Sequence, residues 1–368
     1  MIKAKLKIRT NNGSYSIIIG TNFLDKLSKI LEKNGINFNK CFLLIDKKIG
    51  KKRIKEISKS ISKKKITYLF NSTEKNKSFD SVVKILNLLQ KNNFNRNDCL
   101  LAVGGGITGD TGGFAASLFK RGIKFINIPT TLLAQVDSSI GGKTGINTVY
   151  GKNLIGSFYQ PNLVLADTLF LKTLPKREIT CGYAEILKHS LISDKKLFLY
   201  LDKNVQNILK LKSPFIEKAI FKSCKIKRDI VQKDEKENNL RKILNFGHTF
   251  AHAYEASMTY SKKLNHGEAV ILGIYSSLKF SLDNKLINLS EFDLIVGHLS
   301  KAKLSYNVNK YFSKIDTKKI ISYMQNDKKN NSEKINLILL KKIGSMELNK
   351  KFSKEKIRLF INEKLLIN

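Results

Sequence analysis

The segment "CLLAVGGGITGDTGGFAASLF", residues 99–119, restricts the possible fold more than any other part of the sequence. It opens with the apolar run of a buried strand, and three consecutive glycines, Gly104 to Gly106, end that run. Residues 104–109 fit G-x-G-x-x-G, a pattern whose glycines let the backbone approach a pyrophosphate at a helix N-terminus. A tight turn without a ligand would give the same letters, but the strand-to-helix context favours a phosphate-binding turn.

The acidic residue that usually binds the ribose of a dinucleotide is absent from its usual place. In the common pattern it stands about 20 positions after the glycines. Asn127 occupies that region here. Asp46 ends the earlier apolar strand "KCFLLID" and is the candidate for the ribose contact instead.

Strand and helix patterns alternate along the first part of the chain. The strands "KCFLLID", "ITYLF", "CLLAV" and "FINIP" follow an N-terminal β-hairpin and are separated by helical segments. This alternation predicts a Rossmann-like α/β domain with a doubly wound parallel sheet over residues 1–167. Helical periodicity dominates afterwards and predicts an all-α domain over residues 168–368. Its predicted helical segments are 183–201, 214–233, 246–257, 268–283 and 290–302.

The net charge of +37 raises the question of a nucleic-acid or anionic-surface binder. The lysines are spread over the whole chain among many Asn and Ile, which are residues of AT-rich codons, and no basic tail stands out. We therefore expect no specific nucleic-acid partner. A nucleic-acid-binding protein stays open as the alternative hypothesis to an enzyme. We also expect no membrane partner, because no apolar stretch approaches ~18 residues. The four cysteines are far apart and fit free thiols in a reducing cytoplasm.

The segment "DSSIGGKTGIN" is similar to a P-loop but departs from it at one decisive position. Asp137 stands where G-x-x-x-x-G-K-[ST] has its first glycine, and an acidic group there would repel a phosphate. We therefore exclude an ATPase. Lys143 still lies in a glycine-rich turn, where its cation could meet an anionic ligand.

Histidines and one glutamate give the strongest metal-binding signal. His248 and His252 in "NFGHTFAHAYEA" are four residues apart, so a helix would place both on one face. Imidazoles at that spacing often bind zinc, although hydrogen bonding alone would also explain them. Glu185 lies in the apolar run of "CGYAEILKHSLI" with Lys188 three residues later, and His266 stands at a predicted helix start. His189 and His298 have no sequence partners, and we interpret both as structural.

Five longer motifs together resemble the 3-dehydroquinate synthase family. They are "GGGITGDTGGFAASLFKRGIKFINIPTTLLAQVDSSIGGKTGIN", "GKNLIGSFYQP", "TLPKREITCGYAEILKHSLI", "LRKILNFGHTFAHAYEA" and "NHGEAV". The resemblance runs from about Asp46 to Ser345, in order and with the family's spacing. It implies a dehydroquinate synthase-like fold, with an NAD-binding domain over 1–167 and a helical metal- and substrate-binding domain over 168–368.

The resemblance also implies which residues form the site. The metal ligands would be Glu185, His248 and His266, and the residues with catalytic roles would be His252, Lys143, Asp137 and Lys188. The substrate contacts would be Arg121, Asp137, Lys143, Lys152, Asn153, Lys188, Lys227, Arg241, Asn245, His252 and Lys328, with Lys329 as an alternative to Lys328. The NAD contacts would be Asp46, Glu74, Lys77, Gly105, Gly106, Ile107, Thr108, Gly109, Asp110, Thr130, Thr131, Lys143, Lys152, Phe170, Leu171, Lys172 and Thr173. The stretch "NSTEKNKS" around Glu74 departs from the family, which usually has a glycine before the glutamate.

The implied activity is the second step of the shikimate pathway, in aromatic amino-acid biosynthesis. A family member converts 3-deoxy-D-arabino-heptulosonate 7-phosphate to 3-dehydroquinate and phosphate by transient oxidation, elimination, reduction, ring opening and aldol closure. The resemblance also implies NAD and Zn²⁺ (or Co²⁺) as cofactors, and a cytoplasmic homodimer. Two related activities stay open: a sugar-phosphate cyclase that acts on glucose 6-phosphate and a metal-dependent polyol dehydrogenase.

Overall fold

The computed structural model describes residues 1–11, 13–326 and 334–367, and the chain divides into two compact units. The first unit comprises Met1–Pro175 and Ile216–Lys236, and the second comprises Lys176–Phe215 and Glu237–Asn368. This division differs from the predicted boundary at residue 167, because residues 168–175 and 216–236 group with the first unit. Periodicity along the sequence reveals a helix but not the unit on which it packs.

The first unit is built around a sheet ordered β1-β2-β9-β6-β5-β3-β4. Within it β1 pairs antiparallel with β2, and the other neighbours pair parallel. The strands are β1 (Ile2–Thr10), β2 (Gly13–Gly20), β3 (Lys40–Asp46), β4 (Lys64–Phe70), β5 (Cys99–Gly104), β6 (Lys124–Pro129), β7 (Lys143–Thr148), β8 (Gly151–Phe158) and β9 (Leu163–Asp167), of which β7 and β8 form a separate hairpin. The helices in chain order are α1 (Leu27–Lys33), α2 (Lys51–Ser60), α3 (Phe79–Lys91) and α4 (Gly106–Leu118).

The central strands are buried on both faces, which explains their continuous apolar runs. Residues 41–45 of β3 and 100–103 of β5 are completely buried, as expected when helices cover both faces of a parallel sheet. The α/β prediction is therefore confirmed.

The strand order also locates a crevice at the carboxyl edge of the sheet. From β3 the chain goes to β4 on one side and returns to β5 on the other. Ligands of doubly wound folds bind where the strand order reverses in this way. The loops after β3 and β5, which begin at Asp46 and Gly104, meet at this point.

The second unit is mainly helical. Its helices are α5 (Lys176–Ser193), α6 (Lys195–Leu209), α8 (His248–Ser257), α9 (His266–Asp283), α10 (Leu289–Lys301), α11 (Thr317–Asn326) and α12 (Lys354–Phe360), whereas α7 (Phe215–Lys233) lies almost wholly in the first unit. The predicted helix 183–201 is two helices, because Asp194 caps the second by accepting a hydrogen bond from the Leu197 backbone N–H at 2.9 Å. Among the described residues, no helix is both long enough and apolar enough to cross a membrane.

A β-hairpin corrects the prediction that the second domain is entirely helical. Strands β10 (Lys334–Lys342) and β11 (Ser345–Ser353) pair antiparallel. The first of them reads "KINLILLKK", and the turn between the two strands contains Gly344 at a φ of +89°. That backbone region suits glycine. The helical part of the prediction is confirmed, and this hairpin is what it omitted.

Candidate metal centre and nucleotide site

Three helices of the second unit bring Glu185, His248 and His266 together. One donor atom from each side chain lies within 4.8 Å of the others. The Nε2 atoms of His248 and His266 are 3.6 and 3.8 Å from Glu185 Oε1. These distances exceed a hydrogen bond, yet two ligands of one tetrahedral zinc ion stand about 3.4 Å apart. The sequence-predicted ligand set is therefore assembled in one place.

Gly267 permits the close helix contact on which this assembly depends. A Cβ added to Gly267 would lie 2.2 Å from the Cα of Cys181 on α5. Such a contact would push the start of α9 away from α5. His266 directly precedes Gly267, and Glu185 lies one helical turn after Cys181, so the small residue keeps both side chains within reach of one ion.

The two imidazoles are oriented from behind by hydrogen bonds. His248 Nδ1 lies 3.2 Å from the carbonyl oxygen of Phe246, and His266 Nδ1 lies 3.1 Å from Glu255 Oε2. Both partners are acceptors, so each Nδ1 carries the proton and donates it. A neutral ring in this tautomer presents the Nε2 lone pair, the donor that a metal ion needs.

Glu185 is a buried carboxylate that suits a cation. Its side chain is 1% exposed, and among the described residues neither carboxylate oxygen accepts a hydrogen bond with good geometry. Lys188 Nζ forms a close ion pair with Glu185 Oε2. Burial acts to raise the pKa of the Glu185 carboxyl, but Lys188 and the two imidazoles outweigh it and hold the pKa well below its usual range. The group is therefore an anion at neutral pH, and the three donors fit a divalent metal.

The two histidine ligands have opposite acid–base behaviour. Burial, together with the Lys188 ammonium, lowers the pKa of His248 well below its usual value. Burial also acts to lower the pKa of His266, but the carboxylates of Glu185 and Glu255 raise it to about 10. Without a metal, a proton on His266 offsets the negative charge of these two carboxylates.

Besides Lys188 on α5, the other described residues predicted for the second unit lie on α8 or on the 3-10 helix Leu240–Asn245 that precedes it. The centroids of the His252 and His248 rings are 5.3 Å apart, and His252 is outside the three-donor group. Arg241 is 2% exposed. The Asn245 side-chain amide donates to Glu237 Oε1 at 2.8 Å. Lys328 and Lys329 lie outside the described residues.

Sequence reasoning missed Glu237 and Glu255. Glu255 could have been found, because His248, His252 and Glu255 follow the i, i+4, i+7 spacing of one helix face. No local pattern marks Glu237, whose partner Asn245 lies eight residues later, at the end of the 3-10 helix Leu240–Asn245.

His298 occupies a structural position between helices. Its Nε2 lies 2.9 Å from the Tyr183 hydroxyl and its Nδ1 lies 3.1 Å from Asp202 Oδ1. The ring is buried, and these two contacts use both nitrogens. This arrangement agrees with the structural role expected for His298.

In the first unit, the predicted NAD residues gather at the carboxyl edge of the sheet. Asp46 ends β3 and accepts a hydrogen bond from the Lys48 backbone N–H at 2.9 Å. Gly105 precedes α4, and Gly106, Ile107, Thr108 and Gly109 form its first turn. Thr130 and Thr131 follow β6, and Phe170, Leu171, Lys172 and Thr173 lie in the 3-10 helix after β9.

A charge cluster around the buried Lys77 joins three more predicted residues. Lys77 Nζ lies 2.6 Å from Asp110 Oδ2 and 2.5 Å from Asn153 Oδ1. Burial raises the pKa of Asp110, against the opposing effect of Lys77. Glu74 is more open, with its Oε2 accepting from Asn147 Nδ2 at 2.8 Å and its Oε1 3.9 Å from Lys152 Nζ.

A second ion pair connects α7 to the glycine-rich segment. Lys227 Nζ lies 2.6 Å from both the carbonyl oxygen and Oδ1 of Asp137. Lys143 is exposed and begins β7. Arg121 is exposed with a φ of +64° and stands just before β6, on the side of the sheet opposite the loops after β3 and β5. Among the predicted NAD residues, the first unit thus presents the Lys77 cation beside Asp110 and the Lys152 cation beside Glu74, as an anionic ligand requires.

Comparison with known proteins gives the family. Residues 67–181 match the family model "3-dehydroquinate synthase N-terminal", and residues 182–330 match "3-dehydroquinate synthase C-terminal". A 3-dehydroquinate synthase from Pelagibacter ubique (strain HTCC1062) is 59% identical over 362 residues, 98% of each chain. Another, from Bartonella quintana (strain Toulouse), is 38% identical over 367 residues, 97% of each chain.

A solved structure agrees with this at the level of the fold. The 2-deoxy-scyllo-inosose synthase complexed with carbaglucose-6-phosphate, NAD⁺ and Co²⁺ is 26% identical, with a TM-score of 0.86. The match covers 98% of this chain and 100% of that chain. The resemblance seen in the motifs is confirmed, and the chain belongs to the 3-dehydroquinate synthase family.

Proposed function

We propose that the chain converts 3-deoxy-D-arabino-heptulosonate 7-phosphate to 3-dehydroquinate and inorganic phosphate. The observation that carries this proposal is the Glu185–His248–His266 cluster, found in a chain 59% identical to a named 3-dehydroquinate synthase. The substrate carries a phosphate and a carboxylate. A basic, metal-binding site suits both groups.

The cofactors in this proposal are NAD and a divalent metal, zinc or cobalt. Glu185, His248 and His266 would hold the metal, and the predicted NAD residues of the first unit, from Asp46 to Thr173, would hold NAD. When bound, these groups supply a Lewis acid at a substrate hydroxyl and a reversible hydride acceptor. Because substrate and products show no net change of oxidation state, NAD would be needed only in catalytic amounts, and phosphate is the group released.

The chain's cations bind and orient the substrate in this proposal. Arg121, Lys143, Lys152 and Arg241 bind its phosphate and carboxylate, since charge-assisted hydrogen bonds to such anions are strong. Lys188 and Lys227 are held by the carboxylates of Glu185 and Asp137, and each ammonium can also donate to a substrate oxygen. Asn153 and Asn245 donate or accept hydrogen bonds at hydroxyl groups.

His252 is proposed to hold or move a proton at the substrate. It lies one helical turn from His248 and outside the three-donor group. Its ring nitrogens can therefore act on a substrate rather than on the metal. Asp137 keeps Lys227 in place through two contacts of 2.6 Å.

The homodimer and the cytoplasmic location are further proposals that follow from family membership. All four cysteines are free and buried, which suits a reducing compartment. Sedimentation equilibrium of the purified protein tests the dimer, and a monomer at micromolar concentration would contradict it.

A phosphate-release assay tests the activity. The purified chain is incubated with the heptulosonate phosphate, Zn²⁺ and a small amount of NAD. Released phosphate should exceed the NAD present many-fold, with little NADH accumulating. Chelation should abolish the activity, and Zn²⁺ or Co²⁺ should restore it.

The same assay separates the related activities. Accumulation of one NADH per turnover would identify a polyol dehydrogenase. Phosphate release from glucose 6-phosphate, but not from the heptulosonate phosphate, would identify the other cyclase. The more distant relation to 2-deoxy-scyllo-inosose synthase, at 26% identity, makes that outcome the less expected one.

A further inference from the structure

Glu255 lies directly behind one of the proposed metal ligands. It belongs to α8, seven residues after His248, and is 6% exposed. Its Oε2 atom is 3.1 Å from His266 Nδ1, on the ring nitrogen opposite the one that lies near Glu185. Because the two ring nitrogens point in different directions, Glu255 cannot bind the same ion as His266 Nε2. Glu255 therefore contacts the His266 ring on the side away from the metal position and is not a metal ligand.

We infer that Glu255 is a positioning residue that sets the tautomer and orientation of His266 and raises the affinity of the centre for a divalent metal. The inference rests on the metal centre of the proposed function. A carboxylate that accepts the Nδ1 proton fixes the lone pair on Nε2 and makes that nitrogen a stronger donor. The negative charge of Glu255 also adds to that of Glu185 beside a divalent cation.

His248 provides the internal comparison. Its Nδ1 donates to a backbone carbonyl, that of Phe246, at 3.2 Å. Both ligands are therefore oriented from behind, but a charged acceptor supports only His266. The Phe246 carbonyl belongs to the backbone, so a side-chain substitution cannot remove it. The Glu255 side chain can be altered stepwise in charge and length.

Three substitutions distinguish the effects of the Glu255 charge, its hydrogen bond to His266 Nδ1 and the length of its side chain. Glu255→Gln removes the charge and can keep an acceptor for His266 Nδ1. Glu255→Leu removes both. Glu255→Asp keeps the charge on a shorter side chain and guards against loss of folding in the other two. Asp293→Asn, which neutralises an exposed carboxylate on α10, is the matched control.

The measurement is metal affinity of the full chain, by competition between the protein and a chelator for Zn²⁺. The visible absorption of the Co²⁺ form reports ligand geometry, and a thermal melt of the metal-free chain reports folding. We expect Glu255→Gln to bind Zn²⁺ about 10-fold more weakly and Glu255→Leu about 100-fold more weakly, the range for partners behind a metal-bound histidine. Glu255→Asp should lie between the wild type and Glu255→Gln. The Asp293→Asn variant should match the wild type.

The outcomes distinguish this inference from the proposed function. Equal Zn²⁺ affinity and an unchanged Co²⁺ spectrum in folded Glu255→Gln and Glu255→Leu would overturn the role of Glu255 and leave the metal centre standing. A lowered melting temperature in the metal-free variants with unchanged metal affinity would show a structural ion pair instead. A wild-type chain that binds no metal would overturn both the centre and the inference.

Discussion

One helical turn separates His248 from His252, and this turn gives their imidazoles different neighbours. His248 Nε2 faces Glu185 Oε1 at 3.6 Å, and its other nitrogen donates to a backbone carbonyl. His252 touches the His248 ring edge-on at 5.3 Å and stands outside the donor group. Residue type alone could not separate the two, since both side chains offer the same donor atoms.

The first prediction follows from this difference. His248→Ala and His266→Ala each remove one of three donors, so both should purify with little zinc. His252→Ala should keep near-stoichiometric zinc, but its turnover should be at least ~100-fold slower if this residue moves a proton. Metal analysis and kinetics of the three variants check this. A zinc-free His252→Ala beside a zinc-loaded His266→Ala would reverse the roles.

At the scale of elements, close packing of helices brings the donors together. Helix α9 approaches α5 at Gly267, where a Cβ would lie 2.2 Å from Cys181 Cα. It approaches α8 at Gly273, where a Cβ would lie 2.2 Å from the Gly247 carbonyl oxygen. Protein interiors are too densely packed to absorb such an overlap without a backbone shift.

The second prediction uses this contact. Gly267→Ala should destabilise the fold by about 1–3 kcal/mol, as overpacked cores do, and should lower zinc content by moving His266. The matched control is Gly297→Ala on α10, where an added Cβ meets nothing within 4 Å. That variant should be more stable by about 0.5–1 kcal/mol, because alanine is the better helix former. Denaturant melts and metal analysis of both variants decide it, and full zinc occupancy in a stable Gly267→Ala would refute the packing argument.

The third prediction concerns the contact of α5, α6 and α10 at His298. Burial lowers the pKa of His298 although Asp202 opposes it, and Lys301 adds to the decrease. The folded chain thus binds fewer protons at His298 than the unfolded chain does. The stability it contributes is complete above the unfolded pKa of about 6.5 and falls as the pH drops below that value.

Urea unfolding of the wild type and of His298→Gln between pH 7 and pH 5 measures this effect. The free energy of unfolding should fall more steeply with acid in the wild type, by at most about 1.4 kcal/mol per pH unit. The variant should be the less stable chain at pH 7. Parallel pH profiles would show that another group titrates in this range.

At the scale of the whole molecule, the dominant surface property is the net charge of +37. The lysines that carry this charge are spread along the whole chain. The fourth prediction is that DNA or RNA binds weakly at low salt and that binding disappears as salt approaches physiological strength. Fluorescence anisotropy with labelled duplexes across a salt series tests it. A nanomolar complex that survives physiological ionic strength would contradict this interpretation.

The sequence alone determined the class of the first unit, and its resemblance to a known family named the three donors that the structure brings together. Apolar runs at β3 and β5 reflect burial on both faces, which is a local property of each strand. The glycines after β5 likewise indicate the turn into α4 from the sequence of that segment alone. Glu185, His248 and His266 were named by the match to the family's motifs, because spacing alone left His248 and His252 equivalent.

Only the tertiary structure decided which elements and side chains meet. Helix α7 packs with the first unit through contacts such as Lys227–Asp137, although its sequence lies among segments of the second unit. Glu255 faces His266 because α8 and α9 cross at Gly247 and Gly273. Periodicity reports which face of a helix is buried but not the partner that buries it. The partner depends on contacts between residues far apart in the chain, and no local pattern encodes those.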